Sequence, residues 1–272
     1  MKNSVKFLAL LLTLIFTLGL AAGCSQQSTG KVEQKTLKVG VTAGPHAEVM
    51  DVVKKIAEKD GLKIEIVEFN DYIQPNVALN QGDIDVNSFQ HKPYLDNIIK
   101  DRNYDIVSVA NTVIFPMGIY SSKLKNIADV QSGAIVAIPN DPTNGGRALL
   151  LLEKLNLIKL KPGIGLKAAV TDIIDNPKNI VIKELDAAQI PRSLADMDIA
   201  AINTNYAITA GLVPTKDAIA IEDINSPYAN IIAVRSKDKE NPAVQKLIKA
   251  YHSDEVKAFI EEHFKGSVTA AW

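Results

Sequence analysis

Ala134-Ile135-Val136-Ala137-Ile138-Pro139, then Asn140-Asp141-Pro142-Thr143-Asn144-Gly145-Gly146-Arg147, then Ala148-Leu149-Leu150-Leu151-Leu152, changes its period in the middle. The first six residues are a short apolar run with β-branched members, which reads as a buried strand. The last part, continued by Leu155 and Leu157, is rich in helix formers at roughly helical spacing. Between them the prolines, the glycine pair and the Asn, Asp and Thr residues supply a tight turn and a capped helix start. A strand, a glycine-bearing turn and a helix N-terminus together make an anion site, because free N–H groups and the positive helix end face outward. Arg147 adds a planar guanidinium that grips a carboxylate through parallel hydrogen bonds. No Lys-Ser or Lys-Thr follows the glycines, so the stretch is not a phosphate-binding P-loop. An αβ unit with a solvated Arg would leave the same trace, and this stretch alone does not choose between the two.

Working outward, the chain on the N-terminal side alternates strand and helix. Leu37–Val41 has strand spacing, and a helix opened by Pro45 runs through Val49, Val52, Val53 and Ile56 to Gly61. Lys63–Phe69 alternates polar and apolar residues as a half-exposed strand does. A short helix over Pro75–Gln81, a strand over Ile84–Phe89 and a helix over His91–Lys100 follow. Strand–helix repeats of this length imply right-handed crossovers on a mostly parallel sheet, with ligand sites at the carboxyl ends of the strands.

Ile106–Tyr120 reads as two consecutive strands, a segment able to leave one lobe and enter another. A short helix near Ile127–Val130 precedes the Ala134 strand. Beyond it come a strand at Ile180–Leu185, a helix near Ala187–Leu194 and a strand at Ile199–Ile202. Asn230–Arg235 is a strand positioned to return to the first lobe, and Pro242–Phe264 is helical with a break near Ser253. The expected division is lobe 1 over 36–115 and 228–272, with lobe 2 over 116–227. No internal repeat interrupts this order.

The first residues are a targeting segment. Lys2 and Lys6 precede an uncharged run from Phe7 to Ala22, the length of a signal-peptide core. The run closes on Ala21-Ala22-Gly23-Cys24, and Cys24 is the only cysteine. Small residues before a lone Cys resemble the lipobox of bacterial lipoproteins, although Ala21 stands where that motif usually has Leu. The resemblance implies that residues 1–23 are a lipoprotein signal peptide, Cys24 the acylated mature N-terminus and 24–35 a polar tether; an ordinary secretory signal or a retained N-terminal anchor would carry similar features. Acyl chains at roughly 0.8 kcal/mol per buried CH₂ hold a soluble domain on a membrane. The net charge of −1 and the absence of a basic run argue against nucleic acid as a partner.

Few residues offer catalytic chemistry. Asp83 and Asp85 share one face of a strand entry, where a carboxylate pair can divide acid–base work, but Gly-Asp-Ile-Asp is also an ordinary solvated strand start. His46, His91, His252 and His263 have no metal-ligand spacing, and no G-x-S-x-G elbow occurs. No cofactor motif is present. Phe89-Gln90-His91-Lys92-Pro93-Tyr94 is more informative, because it falls at a strand end where a ligand cleft opens. Phe89, His91 and Tyr94, with Tyr72 at the neighbouring rim, supply aromatic walls suited to an apolar or thioether side chain. A core aromatic cluster would look similar.

Five motifs then converge: Phe89–Asp96, Pro139–Asn144 with Arg147, Pro191-Arg192-Ser193-Leu194, Ile202-Asn203-Thr204 and Ser226-Pro227-Tyr228-Ala229-Asn230. Their order along essentially the whole mature chain resembles the NlpA-type lipoproteins, the substrate-binding subunits of methionine ABC importers. The resemblance implies an α/β, two-lobed, type II-like periplasmic-binding-protein fold. Each lobe is then a mostly parallel sheet flanked by helices, and two crossing strands form the hinge. It implies that Arg147 takes the α-carboxylate, that Asn203 and Asn230 bind the polar end of the amino acid, and that Asn140 and Asn205 also belong to the ligand-binding set. Tyr72, Phe89, His91 and Tyr94 then enclose its side chain. The implied partners are methionine or a close derivative, an ABC permease with its ATPase subunits, and the membrane through the lipid anchor, on the extracytoplasmic face. Two other classes share these features: an enzyme on the same scaffold using Asp83, Asp85 or His91, and a surface adhesin with the same anchor.

Overall fold

The computed structural model describes residues 36–272. The signal peptide, Cys24 and the tether lie outside the described residues.

Two five-stranded sheets organise these residues. The strands in chain order are β1 (Leu37–Thr42), β2 (Ile64–Phe69), β3 (Val86–Asn87), β4 (Ile106–Asn111), β5 (Val113–Ile114), β6 (Gly118–Tyr120) and β7 (Ile135–Pro139). They continue with β8 (Lys159–Leu160), β9 (Ile173–Asp175), β10 (Val181–Leu185), β11 (Ile199–Ile202), β12 (Ala220–Ile221), β13 (Ile231–Arg235) and β14 (Thr269–Ala270). The first sheet has the order β2-β1-β3-β13-β4, and the second β10-β7-β11-β6-β12. In the first, β1 runs parallel to β2 and β3, while β13 enters antiparallel between β3 and β4. In the second, β7, β10 and β11 are parallel and β6 is antiparallel to both its neighbours. Each sheet is thus mostly parallel with one reversed strand, the two-lobed α/β architecture expected. Strands β1–β4 and β13 build the first lobe, and β6, β7 and β10–β12 the second.

Both faces of each sheet are buried, as parallel sheets require. One face of the first packs Val39, Val41 and Ile64 against Val49 and Val53 of the Pro45–Lys59 helix and against Leu247 and Ile260 from the C-terminal helices. Its other face joins Leu79, Ile84, Leu95, Ile106 and Ile231. The second sheet is covered likewise, with Leu149 and Leu152 of the Pro142–Lys154 helix on one side and Ile190, Ile202 and Tyr206 on the other. The break expected near Ser253 is real: that residue caps the Asp254–Phe264 helix by accepting from Val256 N.

The two strands joining the lobes lie side by side. Thr112 N donates to Asn230 O and Asn230 N to Val113 O, each over 2.7 Å. The C-terminus reinforces this bridge, since β14 pairs with β5 and Ala271 N bonds Thr112 O.

Local differences from the sequence reading have identifiable causes. The strand expected over 84–89 shrinks to Val86–Asn87, because the side-chain amides of Asn76, Asn87 and Gln90 bond one another and draw the chain out of the ladder. The helix near 187–194 is a single turn at Ile190–Ser193. Short helices at Thr204–Thr209 and Pro214–Asp217, and the minor strands β8, β9, β12 and β14, had no periodicity long enough to announce them.

The glycine pair is also not in the turn. Gly145 and Gly146 lie inside the Pro142–Lys154 helix and are buried. A Cβ on Gly146 would stand 2.9 Å from Ala168 O and 3.1 Å from Leu166 O, and one on Gly145 would stand 2.8 Å from Pro139 O. These glycines let backbone approach backbone.

Candidate functional site

The carboxyl ends of β2, β3, β7 and β11 converge on the space between the lobes, as they do in open α/β sheets. Tyr72 follows β2, the 88–94 segment follows β3, Asn144 and Arg147 follow β7, and Asn203–Asn205 follow β11. Asn230 is brought beside His91 by a single antiparallel bridge. A narrow cleft results, lined by Tyr72, Phe89, Gln90, His91, Tyr94, Phe115, Asn144, Arg147, Asn203, Thr204, Asn205 and Asn230.

Of the residues singled out from the sequence, Tyr72, Phe89, His91, Tyr94, Arg147, Asn203, Asn205 and Asn230 line this cleft. Asn140 does not. It is exposed and lines a separate groove with Pro93, Asp96 and Leu149, because its side chain precedes the helix that turns Asn144 inward. Asp83 and Asp85 also lie elsewhere. Asp83 is exposed, and Asp85 accepts from Lys38 N and pairs with Arg235.

The helix N-terminus read as an anion site is already served. Asp141 caps it, its Oδ1 accepting from Asn144 N at 2.9 Å and from the Thr143 hydroxyl at 2.9 Å. The charged donor facing the cleft is therefore Arg147 alone among the lining residues. Its guanidinium is buried and held on three sides. Nε donates to Glu222 Oε1 at 3.0 Å and Oε2 at 3.1 Å, Nη2 donates to Phe115 O at 2.8 Å and pairs with Glu222, and the carbon lies 4.3 Å above the Tyr228 ring. Nη1 has no acceptor among the described residues.

One wall is aromatic. The rings of Tyr72, Phe89 and Tyr94 lie 6.0–6.3 Å apart, and Tyr206 packs 4.8 Å behind Tyr72. Burial raises the Tyr72 and Tyr94 hydroxyls well above the usual phenol range, so both stay protonated donors. Tyr94 donates to Tyr72 O at 3.0 Å.

The opposite wall is a chain of amides whose orientation their partners fix. Asn144 gives its amide protons to Asp141 and presents Oδ1, which takes Asn203 Nδ2 at 2.8 Å and His91 Nε2 at 3.2 Å. His91 Nδ1 accepts from Tyr94 N at 3.1 Å, so its proton sits on Nε2. Burial, with Arg147 as a second cause, holds the His91 pKa down to about 3 and keeps the ring neutral. Asn230 Nδ2 donates to Phe89 O at 3.1 Å and to His46 Nε2 at 2.8 Å. The His46 proton therefore lies on Nδ1, facing Thr42 Oγ1 at 2.7 Å. Two side-chain atoms of this wall are buried with no partner: Asn203 Oδ1, an acceptor, and Asn205 Nδ2, a donor. Buried polar atoms without partners are rare and mark places where something else belongs.

Several lining or supporting residues were not singled out from the sequence. Gln90 and Asn144 stood inside quoted motifs without a role. Phe115 and Glu222 come from the connecting segments after β5 and after β12 and had no local signal, and Thr204 donates to Pro116 O on the first of those segments.

A model of the family described as NlpA lipoprotein matches residues 37–272. The chain is 49% identical to the D-methionine-binding lipoprotein MetQ of Escherichia coli (strain K12), over 92% of each chain. It is 48% identical to the protein of the same name in Yersinia pestis, over 100% of both. Among solved structures, a nutrient-binding protein from Burkholderia cenocepacia bound to methionine superposes with a TM-score of 0.85 and 58% identity, covering 87% of this chain and 100% of that one.

Proposed function

The chain belongs to the NlpA lipoprotein family, and from that membership we propose that it captures free methionine between its lobes and delivers it to an ABC permease. It is a binding protein and performs no chemistry on its ligand. The observation that carries the reading is the pair of unpartnered amide atoms, Asn203 Oδ1 and Asn205 Nδ2, facing the same cleft as Arg147 Nη1. An α-amino acid supplies their complements: an ammonium for Asn203 Oδ1 and Asn230 Oδ1, and a carboxylate for Asn205 Nδ2 and Arg147. The aromatic wall of Tyr72, Phe89 and Tyr94 then receives a thioether side chain, a contact aromatic edges favour. With His91 neutral, the cleft holds no acid–base group poised near neutral pH.

Ligand contacts from both lobes favour the closed arrangement, because only that arrangement completes them. Hydrolysis of ATP belongs to separate subunits, and acylation at Cys24 holds the receptor on the extracytoplasmic face of the cell membrane. A test is to denature freshly purified protein and identify the released molecule by mass spectrometry, then to titrate stripped protein with methionine and with alanine. Methionine in the released fraction and tighter binding of methionine support the proposal. Release of another compound, with no response to methionine, overturns it.

A further inference from the structure

Glu222 is not a lining residue, yet it occupies the Nε edge of the guanidinium that the ligand must meet. It reaches there from the segment that follows β12, its side chain only 13% exposed, and Met117 N donates to the same carboxylate at 3.2 Å. Asp141, which caps the Pro142–Lys154 helix, hydrogen-bonds Thr143 and Asn144 and adds a further negative charge at the cleft's edge. His91 is neutral, and the remaining cleft side chains are amides, hydroxyls and aromatic rings. The cleft therefore presents a charge pair that sums to zero, with one guanidinium nitrogen left over.

From this arrangement we propose that Glu222 is a positioning residue that sets the charge class of the ligand, selecting net-neutral zwitterions over anions of the same shape. The proposal rests on the methionine reading above. A lone guanidinium in a poorly solvated cleft attracts any carboxylate and repels an ammonium. Paired with Glu222, its long-range field is cancelled, while Nη1 still offers a short-range hydrogen bond. An incoming zwitterion keeps that bond, and its ammonium goes to the neutral acceptors Asn203 Oδ1 and Asn230 Oδ1 without opposition. A 2-hydroxy acid with the same thioether side chain brings its negative charge to a guanidinium already paired with Glu222, and its hydroxyl, with one proton to donate, satisfies only one of those two acceptors.

The test measures the ratio of affinities for methionine and for 2-hydroxy-4-(methylthio)butanoate in the full-length protein, for wild type, Glu222→Gln and Glu222→Asp. Thermal unfolding confirms that each is folded. Wild type favours methionine. Glu222→Gln keeps the shape but removes the negative charge paired with Arg147, and its ratio moves toward the hydroxy acid by on the order of tenfold. Glu222→Asp keeps the charge and the wild-type ratio. A Gln variant that loses affinity for both ligands equally shows a structural role only and overturns the proposal. If the Gln variant does not fold, equal affinity of wild type for the two ligands overturns it, and a wild-type preference matched by the Asp variant supports it. Failure of wild type to bind methionine at all is the distinct result that refutes the function on which this rests.

Discussion

Tyr72 of the first lobe donates its hydroxyl proton to Asn205 Oδ1 of the second over 2.5 Å. This bond closes the cleft from the side-chain end and at the same time aims Asn205 Nδ2 inward, because the oxygen of the amide is committed. Tyr72→Phe keeps the ring and removes the latch. It is expected to weaken methionine by about 1–2 kcal/mol, roughly 5- to 30-fold. Scattering from the ligand-free variant should show a larger radius of gyration, relaxing to the wild-type value with saturating ligand. Calorimetry that finds wild-type affinity would remove the bond from closure.

Arg147 and Phe89 serve opposite ends of the cleft. Arg147→Ala strands Glu222 without its partner as well as the ligand carboxylate, so it should cost about 3–5 kcal/mol in binding and lower folding stability too. The double change Arg147→Met with Glu222→Gln should recover stability, seen by denaturant unfolding, but not affinity. Phe89→Ala should penalise methionine more than alanine, narrowing the preference, whereas Arg147→Ala penalises every α-amino acid alike. Titration of a small ligand series separates the two patterns.

Acid should loosen the fold in a defined window. His46 and His91 are both held down to about 3, in each case chiefly by burial, against about 6.5 in an unfolded chain. Between those values the unfolded state binds protons that the folded state refuses, so stability is complete above pH 6.5 and declines as pH falls toward 3. Each histidine contributes roughly 1.4 kcal/mol per pH unit in that window, about 2 kcal/mol at pH 5. Denaturant unfolding at pH 7 and pH 5 measures the loss, and His46→Gln should show a slope smaller by about one proton.

Gly146→Ala tests whether the glycine pair is there for packing. Helix propensity alone favours alanine by about 1 kcal/mol. The new methyl would meet Ala168 O and Leu166 O, backbone that cannot rotate away, and overpacking of this kind costs about 1–3 kcal/mol. Destabilisation is therefore expected. A raised melting temperature would show that the 165–168 turn yields.

Cys24→Ala should release the protein from the membrane or leave it uncleaved, while the mature wild type carries a diacylglyceryl mass at its first residue. An unmodified wild-type N-terminus with ordinary fractionation would refute anchoring.

The fold was legible where long periodic segments carry it. The β7 strand, the helix after it and the break at Ser253 follow from spacing and capping alone. The cleft was legible as positions after strand ends, which is why Tyr72, Phe89, His91, Tyr94 and Asn203 converge. Asn140 lies one turn of chain from Asn144, and no local signal tells which of two asparagines beside a cap faces inward. Glu222 was hidden for a different reason: its partner is 75 residues away in sequence, so the ion pair exists only once β12 lies alongside β6. The glycine pair was misplaced because Gly suggests a turn, whereas here it answers a backbone approach from outside the helix.

The place of β13 has a consequence for how the chain is made. This strand, 231–235, lies between β3 and β4, and the C-terminal helices that help cover the first sheet follow it in the chain. The second sheet is complete at Ile221. As the polypeptide is made, the inserted lobe has all its strands first, while the earlier-synthesised β1 to β4 wait with a gap where β13 belongs. Assembly is therefore inside-out with respect to synthesis, and a truncation before residue 231 leaves an open sheet edge exposed to pairing with other chains. Capture by chaperones should concentrate on chains of that length.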